Sequence, residues 1–194
     1  MLFAPLRPLI DALDKTTTDT ARATVREELA SALTTRVRTM VRMRFATRMF
    51  VSSTMEDTVQ ECLLAVWKGL PLLESKEEAA LAVWLSKIVR NKVADVFRRG
   101  PVPTAATTAF ARRLSELTSP SRRAAKSETM ARVLEHVHEL NERQREVIEL
   151  AFFDGLCTAE IGTVLDISRP AAAMSLRRAL IDLQAKCTSL DDPR

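Results

Sequence analysis

Few of the side chains that commonly do covalent or metal chemistry stand in useful company in this sequence. Cys62, Cys157 and Cys187 are widely spaced and form no CxxC pair. That fits reduced cytosolic thiols rather than a disulfide framework or a zinc site, and core packing is the readier role for Cys62 and Cys157. His136 and His138 lie two apart, on different faces of a helix, so a shared metal is not expected. Serines and carboxylates occur singly, none in a catalytic spacing, and no glycine-rich phosphate loop is present. The chemistry that remains is non-covalent, carried by charge and hydrogen bonding on helix faces.

The clearest such stretch is LNERQREVIELAFFDGLCTAEIGTVLDISRPAAAMSLRRALIDL, residues 140–183. Asn141 and Gln144 form a capping box, in which each side chain reaches the other residue's backbone amide. Val147, Ile148, Ala151 and Phe152 repeat at helical spacing and predict one buried face. Asp154-Gly155 ends that helix, because glycine accepts the left-handed conformation of a helix exit. A short helix is expected from about Thr158 to Leu165, with Ile161, Val164 and Leu165 inward. Asp166-Ile167-Ser168 makes a turn, Ser168 caps the next helix, and Pro170 suits its first turn. A helix of about eight residues, a three-residue turn and a longer basic helix match the spacing that docks a helix in a major groove. A plain helical bundle shares this period and stays open as the alternative.

These elements sit in a chain of 194 residues, 46% of them hydrophobic, with four glycines and no tyrosine. Such a chain can build one large or two small cores, and long periodic stretches with so little glycine predict an all-α fold. The formal charge of +4 favours an anionic partner, although charge alone is a weak signal. The opening MLFAPLRPLIDALD is broken by prolines and charges, unlike a signal peptide, and no apolar run downstream has membrane-spanning length, so no membrane insertion is expected.

Residues 1–19 read as a loosely ordered lead-in with a short helix near Leu6 to Leu13. TTTDT offers caps for a long helix from about Ala21 to Phe50, striped by Val25, Leu29, Leu33, Val37, Val41, Phe45 and Met49. Arginines 22, 26, 36, 38, 42, 44 and 48 occupy much of its remaining surface. A solvated basic face is the plainer reading, and a surface near nucleic acid the sharper one. Ser53-Thr54-Met55-Glu56 is a second capping box, opening a helix to about Leu70 with Val59, Cys62, Leu63 and Val66 toward the core. Asp57, Gln60, Glu61 and Leu64 share one face of it, suited to a protein contact, although spacing alone favours a solvated acidic face. Pro71 ends the helix. A helix from about Glu77 to Arg99 comes next, with Leu81, Trp84, Leu85 and Ile88 apolar and Lys87, Arg90, Asn91, Ala94 and Arg98 on another face. Trp84 could stack on a base, but a core role is commoner. Residues from Gly100 to about Ser127 shift to Pro, Thr, Ala, Ser and Arg and read as a linker, with a short helix at Phe110 to Leu117. A helix near Glu128 to Glu139 opens the last part, with Met130, Val133, Leu134, Val137 and Leu140 inward.

MEDTVQECLLAVW (55–67) and WLSKIVRNKVADVFRR (84–99), succeeded by the 140–183 stretch, resemble the extracytoplasmic-function (ECF) sigma factors of bacterial RNA polymerase in motif and order. The resemblance spans most of residues 21 to 187. It implies an all-α protein of two small helical domains and a flexible linker: lead-in 1–19, region 2-like domain 20–100, linker 101–127, region 4-like helix-turn-helix domain 128–187 and tail 188–194. It further implies binding to core RNA polymerase through its β′ clamp helices and β subunit, with Asp57, Gln60, Glu61 and Leu64 as the clamp-docking face. Lys87, Arg90, Asn91, Arg98 and Arg99 would engage the melted downstream promoter strand, cations holding phosphates and Asn91 a base. Ser168, Arg169, Ser175, Arg177 and Arg178 would contact the upstream promoter element. The linker would thread towards the active-centre cleft, and an anti-sigma protein would hold the factor inactive. No cofactor and no enzymatic activity are implied, and the location is cytoplasmic.

Two departures from the family pattern stand out. LLESKEEAAL before Trp84 is acidic and lacks the family's arginine, glycine and aromatic pattern at the wall of the flipped-base pocket, so base preference does not transfer. The last helix has Ala171, Ala172, Ala173 and Met174 where hydrogen-bonding residues are common, which implies less direct readout and more dependence on DNA shape. The alternatives are a stand-alone helix-turn-helix regulator, which would have no use for the EDTVQE face, and a sigma-like interaction protein with reduced promoter binding.

Overall fold

The computed structural model describes residues 5–48, 54–99 and 132–188. Among them every regular element is helical, as the sequence predicts. The first group comprises α1 (Arg7–Lys15), α2 (Asp19–Thr47), α3 (Thr54–Gly69), a 3-10 turn at Leu70–Leu72 and α4 (Glu78–Arg99). Helix α5 (132–139) opens the second group. After it come α6 (Glu142–Ile148), a π turn at Glu149–Phe153, α7 (Thr158–Leu165) and α8 (Arg169–Thr188). The expected linker, its short helix, Met49, Ser53 and Met130 lie outside the described residues.

The stripe on α2 forms as its spacing predicts: Leu29, Leu33, Val37, Val41 and Phe45 are fully buried and Val25 half-buried. Against it pack Val59, Cys62 and Val66 of α3 with Leu81, Leu85, Val89 and Val93 of α4. Each such aliphatic side chain contributes about 1.5–3 kcal/mol when fully buried. Trp84 lies on this core, as expected, with its ring close against Gly69. The TTTDT caps work differently from the expectation. Thr18 is the N-cap, but its hydroxyl makes no capping bond, and Asp19 places a carboxylate in the first turn instead.

Residues 5–19 of the lead-in are docked rather than loose. Leu6 and Ile10 enter the first core. One carboxylate oxygen of Glu78 accepts from the backbone amides of Leu6 (2.8 Å) and Arg7 (3.1 Å), while the other accepts from Arg36 (2.9 Å). Arg7 pairs with Glu77, and Lys76 with Asp14 at 2.5 Å. The acidic loop that departs from the family pattern is therefore engaged in holding α1.

In the second group the Asn141–Gln144 capping box is present in both directions, with the Gln144 amide 2.9 Å from Asn141 Oδ1. Arg145 donates to the carbonyls of His138 (2.7 Å) and Leu140 (2.9 Å), satisfying acceptors that the end of α5 leaves open. The helix over Val147 to Phe152 does not continue as expected. It widens to a π turn, with the Asp154 amide bonded to the Glu149 carbonyl at 3.1 Å. The wider turn rotates the residues towards its end, so Phe152, expected on the buried face, is 53% exposed, while Leu150 is fully buried.

Candidate nucleic-acid and protein interfaces

The α3 face is built by helical spacing alone. Val59, Cys62 and Val66 fix one side in the core, which turns Asp57, Gln60, Glu61 and Leu64 outward; all four are exposed. Leu64 is 58% exposed, an apolar contact residue ringed by polar ones. Glu61 pairs with Lys92 of α4 at 3.1 Å, which steadies the face. Burial holds the Cys62 thiol neutral beneath it, its pKa pushed up to about 12.

On α4, Lys87, Asn91, Arg98 and Arg99 are exposed and Arg90 is half-buried. They do not all face open solvent in the same way. Arg90 pairs with Glu146 of α6, and Arg98 with Asp95 of its own helix. Asn91, Ala94, Asp95, Phe97 and Arg98 of α4 line an open groove of about 660 Å³ together with Glu142 of α6. Arg48 lies over the Phe97 ring at 5.3 Å, a cation–π contact at one end of this surface.

The helix-turn-helix forms with the predicted elements. Ile161, Val164 and Leu165 are buried, Asp166 takes the left-handed conformation (φ 55°), and Ser168 Oγ accepts from the Ala171 amide at 3.3 Å. Gly162 sits where the two helices approach. A Cβ there would lie 2.7 Å from the Ile167 carbonyl oxygen, so the turn needs glycine. Ser168, Arg169, Arg177 and Arg178 are exposed and Ser175 half-buried. One residue of the alanine run has a different role: Ala172 is wholly buried against the α6–α7 core, while Ala171, Ala173 and Met174 point outward. The readable surface is thus narrower than the sequence suggests.

Sequence reasoning missed a buried ion cluster. Arg44 of α2, 2% exposed, donates to Asp154 through two nitrogens at 2.9 and 2.5 Å and approaches Glu149 at 3.8 Å. Glu149 also receives Arg48 (2.6 Å) and the Thr47 hydroxyl. Burial alone would lower the Arg44 pKa; the charges of Asp154, Glu149 and Glu146 and the Asp154 hydrogen bonds outweigh it and raise the pKa above its ordinary value. Arg36 is likewise buried, facing Glu78. The solvated basic face expected for α2 does not extend to Arg36 and Arg44, because carboxylates distant in sequence meet them.

Residues 33–100 match the family model described as Sigma-70 region 2, and residues 137–185 the one described as Sigma-70, region 4. Between them the two models account for more than half of the chain, in order. The chain belongs to the sigma-70 family. It is 30% identical over 128 residues to the probable RNA polymerase sigma factor RfaY of Xanthomonas campestris pv. campestris. That match covers 64% of this chain and 32% of the relative, so the chain spans about a third of the curated relative it matches. Its fold is similar to that of CnrH, solved in complex with the cytosolic domain of CnrY, with a TM-score of 0.57 and 23% identity over 95% of this chain and 98% of that one. Among the described residues no helix is long and apolar enough to cross a membrane, and no group of three His, Cys, Asp or Glu side chains could hold a metal.

Proposed function

We propose that this chain binds core RNA polymerase, directs it to promoters and assists melting of the start region, as an ECF sigma factor. The exposed Asp57–Gln60–Glu61–Leu64 face carries the reading, because a regulator acting through its helix-turn-helix alone has no use for it. That face is the polymerase-docking site, seated on the β′ clamp helices, and the β subunit meets the second domain. Lys87, Arg90, Asn91, Arg98 and Arg99 hold the melted downstream strand; Ser168, Arg169, Ser175, Arg177 and Arg178 hold the upstream duplex. The region 2-like domain is assigned to 20–100, the linker to 101–127 and the region 4-like domain to 128–187, with a lead-in at 1–19 and a tail at 188–194. The protein works in the cytoplasm, where the polymerase is. An anti-sigma protein is a fitting further partner, since the similar CnrH chain is held by the cytosolic domain of CnrY.

A pull-down with core RNA polymerase and then run-off transcription on genomic fragments test the reading. Binding with specific initiation supports it. Exposed Ala171, Ala173 and Met174 favour a second reading, an interaction protein with reduced promoter binding, which polymerase binding without initiation would select. Duplex binding without polymerase binding would identify a stand-alone regulator instead.

A further inference from the structure

The two sides of α8 have different work to do. Ala172 and Ala179 are wholly buried, and Leu176 and Leu183 pack beside them, which turns one side of the helix into the core of the second group. At about 100° per residue, the opposite side is centred on Met174 and Ile181, with Pro170, Arg177 and Arg178 next to them. Met174 is 48% exposed and is the one large side chain on that side between Pro170 and Arg177. It stands in the second turn of α8, near the end that reaches base edges when a helix-turn-helix docks in a major groove. We propose that Met174 is a specificity-determining residue that reads the methyl group of thymine in the upstream duplex. The proposal rests on the sigma factor reading for the duplex assigned to α8.

The chemistry of the side chain selects the group it reads. A thioether has no proton to donate and accepts hydrogen bonds only weakly, so it has little to offer the polar groups that mark guanine, cytosine and adenine. The thymine methyl is the apolar group on a major-groove edge, and cytosine carries only hydrogen at that place. An unbranched, polarisable side chain can settle against such a group along its length. Ala171 and Ala173 flank Met174 and point outward, and their short side chains leave the thioether standing clear of the helix surface. Arg177 and Arg178 lie one turn further along the same side, placed to hold phosphates while Met174 meets the base edge. Charge favours DNA as the occupant of this surface. Arg169, Arg177 and Arg178 are exposed, and α8 carries no carboxylate before Asp182, which is bonded to Gln144 of α6. Reading of DNA shape works otherwise, through groove width and stiffness rather than contact with a single methyl group.

The test uses the full chain, alone and bound to core RNA polymerase. Short duplexes of randomised sequence are selected on it, and the enriched duplexes are remade with uracil at every thymine. That exchange removes the methyl groups and leaves every hydrogen-bonding group in place. Fluorescence anisotropy then gives the ratio of the two affinities. Burying one methyl group changes an affinity about fourfold, so wild type should prefer the thymine duplex by about that factor for each methyl contacted. Met174→Ala should remove most of the preference, and Met174→Leu, which keeps an apolar side chain, should retain it. Arg178→Ala should weaken both duplexes alike, because a phosphate contact carries no base information. Circular dichroism and melts matching wild type show that these surface variants are folded. Equal binding of the two duplexes by wild type overturns the methyl reading, as does a preference that Met174→Ala leaves intact. Absence of duplex binding by a chain that still pulls down core polymerase overturns it too and leaves polymerase binding standing. Failure of the pull-down counts against the sigma factor reading itself, while the thymine-to-uracil ratio of the free chain still decides the role of Met174.

Discussion

Replacing Gly162 by alanine adds a methyl group to the closest approach in the helix-turn-helix. The new Cβ would lie 2.7 Å from the Ile167 carbonyl oxygen, 3.5 Å from the Arg169 nitrogen and 3.6 Å from the Ser168 carbonyl carbon. A carbon meets a carbonyl oxygen comfortably no closer than about 3.3 Å, so the turn must retreat by roughly 0.6 Å. All three neighbours are backbone, and the Ile167 amide is itself bonded to the Gly162 carbonyl at 3.0 Å, so no side chain can absorb the movement. Overpacking of this kind costs about 1–3 kcal/mol. Alanine's better helix propensity returns about 0.5–1 kcal/mol. The balance is a loss of ~1 kcal/mol, read as a fall in melting temperature of about 2–4 °C for a chain of this size. Duplex binding should weaken further, since the displaced turn carries Ser168 and Arg169. Thermal and urea unfolding monitored by circular dichroism measure the first effect, and fluorescence anisotropy with duplex DNA the second. An alanine variant more stable than wild type would show that propensity wins and that the turn has room to spare, refuting the clash.

Glu78→Gln should destabilise the first domain at neutral pH, and the difference should shrink in acid. Burial alone would raise the Glu78 pKa, but Arg36 and the amides of Arg7 and Leu6 bring it below its ordinary value near 4.5. Its stabilisation is therefore complete above that value and is lost as pH falls through the lower folded one; melts between neutral pH and pH ~3 would show it, and a pH-independent difference would not fit. Cys62 should resist thiol reagents until the chain unfolds, while Cys157, exposed at the start of α7 and not in the core as expected, reacts in the native state; fast labelling of Cys62 would contradict its burial. Asp57→Ala with Gln60→Ala should leave the stability within about 0.5 kcal/mol of wild type yet abolish polymerase pull-down, since both side chains face solvent. Ala172→Leu should cost about 1–3 kcal/mol while Ala173→Leu is nearly neutral, and equal costs would show the assignment of core and outer face to be wrong.

What the sequence made legible was local. Apolar period located α2, α3, α4, α7 and α8, and the Ser168 cap the start of α8, because each depends on residues three or four positions apart. The exposed α3 face and the inward Ile161, Val164 and Leu165 come from the same arithmetic. The Arg44 cluster was not legible, because Asp154 lies 110 residues away and no spacing rule connects them. Nor was the docking of α1, which depends on a carboxylate 71 and 72 residues downstream. The misplacement of Phe152 has a different cause. Helical periodicity assumes a constant turn, and nothing in VIELAFF announces that the turn widens. Ala172 shows a related limit: three alanines in a row look alike as letters, and only the packing of α8 on α6 and α7 separates the buried one from its neighbours.

The π turn also makes the chain sensitive to length in one narrow place. An insertion of one residue, at about 100° per residue, sets the phase of everything after it relative to α6. Deleting a single residue from Glu149–Phe153 would let the segment run on as ordinary α-helix, turning the residues after it by about 100° and swinging the Asp154 carboxylate away from Arg44. Composition and net hydrophobicity would hardly change. A sequence comparison that treats one-residue gaps here as trivial would therefore overlook the difference between a chain whose halves can clasp each other and one whose halves cannot.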